Sequence, residues 1–353
     1  MRSRIEDVAA AAGVSMKTVS RVLNHEPNVR EETRDRVMRA VEQLQYKPNL
    51  SARSLAGQRS YVVALVYNNP SRNYLMEVQS GMLEACRAHH YNLVLAPVGS
   101  GKQRTADDIK GLFEYFGPDG VVLIPPLTDD NVVLTYLEEH EVPFACIAPR
   151  NPQKRIGVMM EETAAVLELM SGLIALGHRR IGHIKGPRTH GACHWRYAGY
   201  REALRKAGIA YDAALVTQGE FSFDSGISGA NQLLDLTDPP TAIFAANDDM
   251  AAGVIRAAGE RGLAVPRDLS VCGFDDTPIA RHIYPALTTV RQPTSEMGRL
   301  ATLELLERIR TPGAGRMVHV EPTLVFREST RPPSGRSGAT RTGPDSLSRR
   351  HPH

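Results

Sequence analysis

The chain has 353 residues, 42% of them hydrophobic, and a formal net charge of +3. That length and apolar content favour more than one domain, and the small net charge excludes a molecule that binds polyanions over its whole surface. The charge is uneven: residues 1–60 hold eleven Lys and Arg against seven Asp and Glu, residues 331–353 hold five Arg against one Asp, and the stretch between is acidic. Any polyanion contact is therefore expected to be local. Cys86, Cys146, Cys193 and Cys272 form no C-x-x-C pair and read as buried free thiols of a reducing compartment. Residues 1–20 contain no signal-peptide core, and no apolar run approaches the ~18 residues of a membrane span, so a cytoplasmic location is expected.

Residues 1–46 read as three short helices. "RIEDVAAAAG" puts Ile5, Val8, Ala9 and Ala12 on one stripe, and Gly13 ends it. Ser15 is the N-cap candidate of a second helix running to about Leu23. On it Val19, Val22 and Leu23 share one side, Lys17, Ser20 and Arg21 the other, with Met16 at the border. "REETRDRVMRAVEQLQY" gives a longer helix with Val37, Val41 and Leu44 inward; Asn28 is its best N-cap candidate, because Arg30 offers no acceptor. Helix, Gly-containing turn, helix is the helix-turn-helix pattern; an ordinary small bundle is the alternative. The polar face of the second helix carries Thr18 and Ser20 beside Lys17 and Arg21 and lacks Glu–Lys pairs. That mix suits phosphates and base edges.

In residues 47–60, Pro48 breaks the preceding helix, and "NLSARSLAG" makes at most a short helix that is unstable alone in water. From Tyr61 onward apolar runs alternate with helical stretches. The runs are 61–67, 91–98, 119–126, 142–148, 180–186, 213–219, 241–248, 269–276 and 317–325. Continuous apolar strands between helices predict parallel sheets covered on both faces. Nine strands are read as two Rossmann-like subdomains, with any ligand at the carboxyl ends of the strands. Residues 329–353, rich in Pro, Gly, Ser and Arg, are expected to form a disordered tail.

"IEDVAAAAGVSMKTVSRVLN", "TRDRVMRAVEQLQYKPNLSARSLAG", "ALGHRRIGHIKGP", "RYAGYREAL", "PTAIFAANDDMAAGV", "VPRDLSVCGFDDT" and "PALTTVRQP" follow one another in order. Together they resemble the LacI/GalR family of bacterial transcription regulators across residues 4–328. The resemblance implies an all-α helix-turn-helix headpiece (1–46), a hinge helix or linker (47–60) and an α/β core (61–328) shaped like a periplasmic sugar-binding protein. Within that core it implies an N-subdomain of about 61–160 and 291–320 and a C-subdomain of about 161–290 and 321–328.

The family's second helix enters the major groove. By position Met16, Lys17 and Arg21 would read bases, and Ser15, Thr18, Ser20 and Asn24 would mainly hold phosphates. Leu55 matches a hinge leucine that wedges into the minor groove, and Arg53 would contact DNA nearby. For a sugar effector, Arg196, Asn247 and Asp275 match polar groups that hold hydroxyls, and Phe221 matches an aromatic position that packs on the sugar's apolar face. Asn68, Tyr74 and Gln292 are further positions of the same site. The resemblance thus implies a homodimer that binds a palindromic double-stranded operator, most simply as a repressor under control of a small carbohydrate, with no cofactor. The tail contains only Leu347 and no Leu heptad of the kind that makes relatives tetrameric.

Two segments depart from the family pattern. "IAPR" (Ala148, Pro149, Arg150) lacks an Asp before the Arg, and "MMEETAA" brings Met160 and Glu161 where members often read D-N-x-x-G. Both imply a more apolar pocket wall or an unusual effector. A non-sugar metabolite is the alternative effector, and a sugar-binding protein with no DNA role the alternative function. "HGACHW" spaces His190, Cys193 and His194 like metal ligands but has no second pair nearby, and by the resemblance it falls at an effector loop, so structural or ligand-contact roles are expected ahead of zinc. Asp248, Asp249, Asp275 and Asp276 invite a two-carboxylate hydrolase reading, yet no catalytic constellation accompanies them.

Overall fold

A computed structural model of the chain describes residues 3–23, 29–46, 59–99, 101–153 and 155–334. The N-terminal unit is three helices: α1 (Ile5–Ala12), α2 (Met16–Leu23) and α3 (Glu31–Gln43). Gly13 ends α1 in the left-handed conformation (φ 64°) that glycine adopts without steric cost. The Ser15 hydroxyl then accepts from Thr18 N at 3.2 Å to open α2. Val8, Ala9, Ala12, Val19, Val22, Val37 and Ala40 are buried together, with Ile5, Leu23, Val41, Leu44 and Tyr46 packed around them. Helix α3 starts at Glu31 with Arg30 in the capping position and no side-chain cap. The proposed cap Asn28 lies outside the described residues. Glu31 and Glu32 in the first turn complement the helix dipole instead.

The larger unit contains two parallel sheets. The first has six strands in the order β11-β5-β4-β3-β1-β2: β1 (Val62–Tyr67), β2 (Asn92–Pro97), β3 (Gly120–Leu123), β4 (Phe144–Ile147), β5 (Gly157–Met160) and β11 (Met317–Val320). The second has four, ordered β7-β6-β8-β9: β6 (Ile181–Lys185), β7 (Val216–Gln218), β8 (Ala242–Ala245) and β9 (Ser270–Cys272). A third, antiparallel pair joins β10 (Thr289–Arg291) to β12 (Thr323–Val325).

Both faces of each large sheet are covered, which is why its strands are apolar without alternation. Val63, Leu65, Val122 and Ile147 pack with Val78 and Met82 of α4 (Arg72–Ala88) and Met297 and Leu305 of α12 (Thr294–Arg310). Their neighbours Ala64, Val66, Val121 and Leu123 face the other way, onto Ile109 and Leu112 of α5 (Lys102–Phe116) and Leu137 of α6 (Asn131–Glu139). In the second sheet Ile243 and Val271 join a cluster with α9 (Phe223–Leu234), α10 (Asp248–Glu260) and Ala280 of α11 (Pro278–His282), while Ala242, Phe244 and Cys272 join one with α7 (Glu162–Ala175) and α8 (Gly191–Lys206). Helices α4 and α12 approach so closely that a Cβ at Gly81 would overlap the Ser295 carbonyl, and one at Gly298 the Val78 carbonyl.

Three sequence readings need correction. The run 317–325 is two strands in two different sheets, because Glu321-Pro322 turns the chain from one to the other. The four-residue β5 and the three-residue β10 lie outside the predicted runs. The first residues of the expected tail are ordered. Ser329 is buried and its hydroxyl donates to Val271 O at 2.6 Å, and Arg331 O accepts from Ser270 Oγ at 3.1 Å. His178 Nε2 lies 2.9 Å from the same carbonyl. Backbone pairing overrides the polar composition there; residues 335–353 lie outside the described set.

Candidate functional site

Two places concentrate polar side chains on rigid elements. The first is the outer face of α2. Val19 and Val22 are fully buried, so the helix is fixed in rotation and the opposite face points to solvent. Ser15, Lys17 and Arg21 are exposed, Met16 is 50% exposed, and Thr18 and Ser20 are half-buried. The Ser15 and Thr18 hydroxyls lie 2.9 Å apart. An exposed methionine between a lysine and a hydroxyl pair is the feature that local core packing does not account for. Asn24, Arg53 and Leu55 lie outside the described residues.

The second is a cleft holding about 400 Å³ of empty space, its open mouth included. It is lined by residues just past the carboxyl ends of strands in both parallel sheets and of β10 in the antiparallel pair. Asn69, Ser71 and Tyr74 follow β1, Pro125 follows β3 and Ala148 follows β4; Phe221, Asn247, Asp275 and Gln292 follow β7, β8, β9 and β10. Glu162, His190, Ala192 and Arg196 complete the wall. Every strand end that contributes carries a loop or helix start there, as expected of parallel α/β sheets.

Arg196 is the centre of the cleft. It is buried, its guanidinium lies 3.8 Å from the centroid of the Phe274 ring, and its Nε donates to Glu162 Oε2 at 2.7 Å. Its Nη1 donates to Ala246 O and lies 3.5 Å from Asp275 Oδ1. Gln292 Nε2 donates to the same Asp275 oxygen. Burial pushes the Asp275 carboxyl up to about 7, against the lowering effect of Arg196 and Gln292, with Asp249 and Glu162 adding to the rise. Asn247 caps α10: its Oδ1 accepts from Met250 N at 3.0 Å and its Nδ2 donates to Phe221 O at 3.1 Å.

Phe221 meets His190 edge-on at 5.3 Å. Burial, and then the charge of Arg196, lower His190 to about 4, and its Nε2 has no hydrogen-bond partner. Tyr74 is buried in the wall, and burial together with the nearby Glu162 and Asp275 raises its hydroxyl pKa. Ala148, Phe221 and Asp275 all have positive φ (50°, 57° and 117°). Backbone strain of this kind, uncommon outside glycine, concentrates at binding sites.

The structure therefore brings Tyr74, Arg196, Phe221, Asn247, Asp275 and Gln292 into one cleft. Asn68 does not line it; its neighbour Asn69 does, donating to Pro125 O at 3.1 Å. Sequence reasoning missed Glu162 and Ser71, and His190, read there as a structural or ligand-contact residue, lines the cleft. The signal for Glu162 was its register: it shares a helical stripe with Val166, Leu169 and Leu173, and a carboxylate on a buried stripe requires a cationic partner. Met160 is core, packed with Val166 and Leu169, so that segment adds a charge to the cleft wall through Glu162 and no apolar surface through Met160.

The remaining candidates separate. His190 and Cys193 face inward whereas His194 is exposed and packs on Trp195. Burial raises the Cys193 thiol to about 12. Asp248 accepts from Thr277 N at 2.8 Å and Thr289 Oγ1 at 2.6 Å, and Asp276 pairs with Arg291 and Arg327. These carboxylates tie strand ends together and share no common target.

A three-helix unit with an exposed polar helix face, joined to two parallel sheets around a polar cleft, defines a helix-turn-helix regulator with a periplasmic-binding-protein-like core. The family model for bacterial regulatory proteins of the lacI family matches residues 4–49, and that for a periplasmic binding protein-like domain matches residues 171–330. The ribose operon repressor of Haemophilus influenzae is 33% identical over 92% of this chain and 98% of its own length. The transcriptional regulator CelR of Thermobifida fusca is 36% identical over 93% of this chain and 98% of its own. Among solved structures, a CelR–cellobiose complex covers 93% of this chain and all of its own, with 34% identity and a TM-score of 0.71. The lac repressor dimer bound to operator and the anti-inducer ONPF covers 94% of this chain and all of its own, with 28% identity and a TM-score of 0.75. The chain belongs to the LacI family of bacterial regulatory proteins. Among the described residues no helix is long and apolar enough to cross a membrane.

Proposed function

We propose that the protein is a cytoplasmic transcriptional repressor that binds a palindromic operator as a homodimer and is controlled by a small carbohydrate. The observation that carries this reading is the convergence of Arg196, Asn247, Asp275 and Phe221 in one cleft, in a chain whose α2 presents Met16, Lys17 and Arg21 to solvent. Paired donors and acceptors suit vicinal hydroxyls, and the Phe221 ring suits an apolar sugar face. On α2, Lys17 can donate to guanine and Met16 can contact a thymine methyl. Ser15, Thr18, Ser20 and Asn24 hold phosphates, and Arg53 and Leu55 serve the minor groove. A ligand bound between the two sheets shifts their relative angle and so the spacing of the two headpieces.

The test is selection of a binding sequence from random duplex DNA, followed by anisotropy titration of that duplex with and without sugars. Enrichment of a two-fold symmetric site supports the reading; failure to enrich any sequence contradicts it.

A further inference from the structure

We propose that Asp249, gripped from the other half of the core by Ser71 and Asn73, is a latch that holds the cleft shut and sets the resting balance on which a ligand acts. The inference goes beyond the reading of the cleft as a carbohydrate site: it concerns how the two sheets are held together, whatever the ligand.

Asp249 stands in the first turn of α10, which follows β8 of the second sheet. Ser71 caps α4 and Asn73 is in its first turn, just after β1 of the first sheet. The Ser71 hydroxyl donates to Asp249 Oδ2 at 3.3 Å, and the Asn73 side chain hydrogen-bonds the same carboxylate. Both bonds run from one sheet's unit to the other, away from the segments where the chain crosses between them. Ser71 Oγ accepts from Tyr74 N at 3.5 Å, which leaves its single proton for Asp249. The start of α10 favours the ionised form of Asp249. Burial raises its pKa, and the bonds from Ser71 and Asn73 oppose the rise. The carboxylate thus gives up water as the cleft shuts and receives replacement donors from across it.

A second close approach lies one strand along in each sheet. Gly191, at the start of α8 after β6, faces Asp129 and Arg150, which follow β3 and β4. A Cβ on Gly191 would lie 3.2 Å from Arg150 Cβ and 3.5 Å from Asp129 Oδ2. The two rims are tied inside the first unit. Asn69 Oδ1 accepts from Ser71 N at 2.9 Å, its Nδ2 donates to Pro125 O at 3.1 Å, and the Leu127–Asp129 turn follows directly. The carriers of the latch also border the ligand space: Ser71 and Tyr74 line the cleft on one side, and Asn247, two residues before Asp249, lines it on the other. A ligand that draws these residues together strengthens the latch, and one that separates them releases it.

The test is hydrogen–deuterium exchange of the full chain without sugar or DNA, for wild type, Asn73→Ala, Asp249→Ala and the double variant. Asn73→Ala leaves the carboxylate buried with one donor fewer. The amides of the far rim, residues 127–131 and 188–194, are then expected to exchange about tenfold faster. In the Asp249→Ala background the same substitution should change that exchange by less than about twofold, because the latch is already gone. Changes confined to α4 and α10, or an Asn73→Ala effect undiminished in the double variant, overturn the latch. If Asp249→Ala does not fold, far-rim exchange in Asn73→Ala decides. On the selected operator without sugar, Asn73→Ala should shift affinity by about fivefold or more; unchanged affinity overturns the claim that the latch sets the resting balance. The exchange measurement uses neither sugar nor DNA. Its failure leaves the carbohydrate reading standing, and failure of that reading in the sugar titrations leaves the latch intact.

Discussion

Arg196 has no water shell to return to: it is buried, stacked on Phe274 and bound on two sides by carboxylates. Such a cluster is stable only while its charges stay matched. Glu162→Ala leaves the guanidinium with Asp275 alone, and we expect a loss of about 3–5 kcal/mol in chemical unfolding. Glu162→Gln keeps an acceptor for Nε and should cost less. Asp275 gives a pH signature. Its folded pKa of about 7 lies above the ordinary aspartate value of 3.8, so between those values the folded state binds more protons than the unfolded. Its contribution is therefore favourable at low pH and is lost as pH rises toward 7. Relative to Asp275→Asn, the wild type should lose up to about 1.4 kcal/mol per pH unit between pH 5 and 7. Parallel pH–stability curves for the two proteins would contradict the burial argument.

At the scale of elements, α2 shows what could be read in advance. Its apolar side had to dock, since Val19, Val22 and Leu23 recur at helical spacing, and Val19 and Val22 are fully buried. Its solvent face then follows from geometry. Lys17→Ala is expected to change base preference within each half-site; uniform weakening on all sequences would make Lys17 a phosphate contact only. The strands were legible where both faces are buried, as in "YVVALVY", because burial on two sides leaves a continuous apolar run. They were not legible at β5 and β10: β5 gains its identity from its place between β4 and β11, and β10 from antiparallel pairing with β12. The same holds for Glu162: it is an ordinary polar residue until the fold sets it against Arg196. The α4–α12 contact gives a further prediction. Gly81→Ala must push the Ser295 carbonyl aside, and overpacking of this kind costs about 1–3 kcal/mol, measurable as a lowered thermal midpoint.

For the whole molecule, the cleft draws its wall from loops of both parallel sheets, and the chain passes between them near Glu162, near Gln292 and at Glu321-Pro322. Two of those crossings border the cleft, so a ligand there contacts the segments about which the sheets would turn. Coupling between cleft and DNA must then be reciprocal: whatever factor a sugar imposes on operator affinity, operator imposes on sugar affinity. The measurement that tests this most directly is the anisotropy titration of the selected operator with the full chain, across a panel of neutral, amino and acidic mono- and disaccharides, for wild type and Asn247→Ala. At least one sugar is predicted to shift operator affinity by roughly 5–150-fold in the wild type and not in the variant. Operator affinity that no sugar moves, or a shift that survives Asn247→Ala undiminished, would contradict the account.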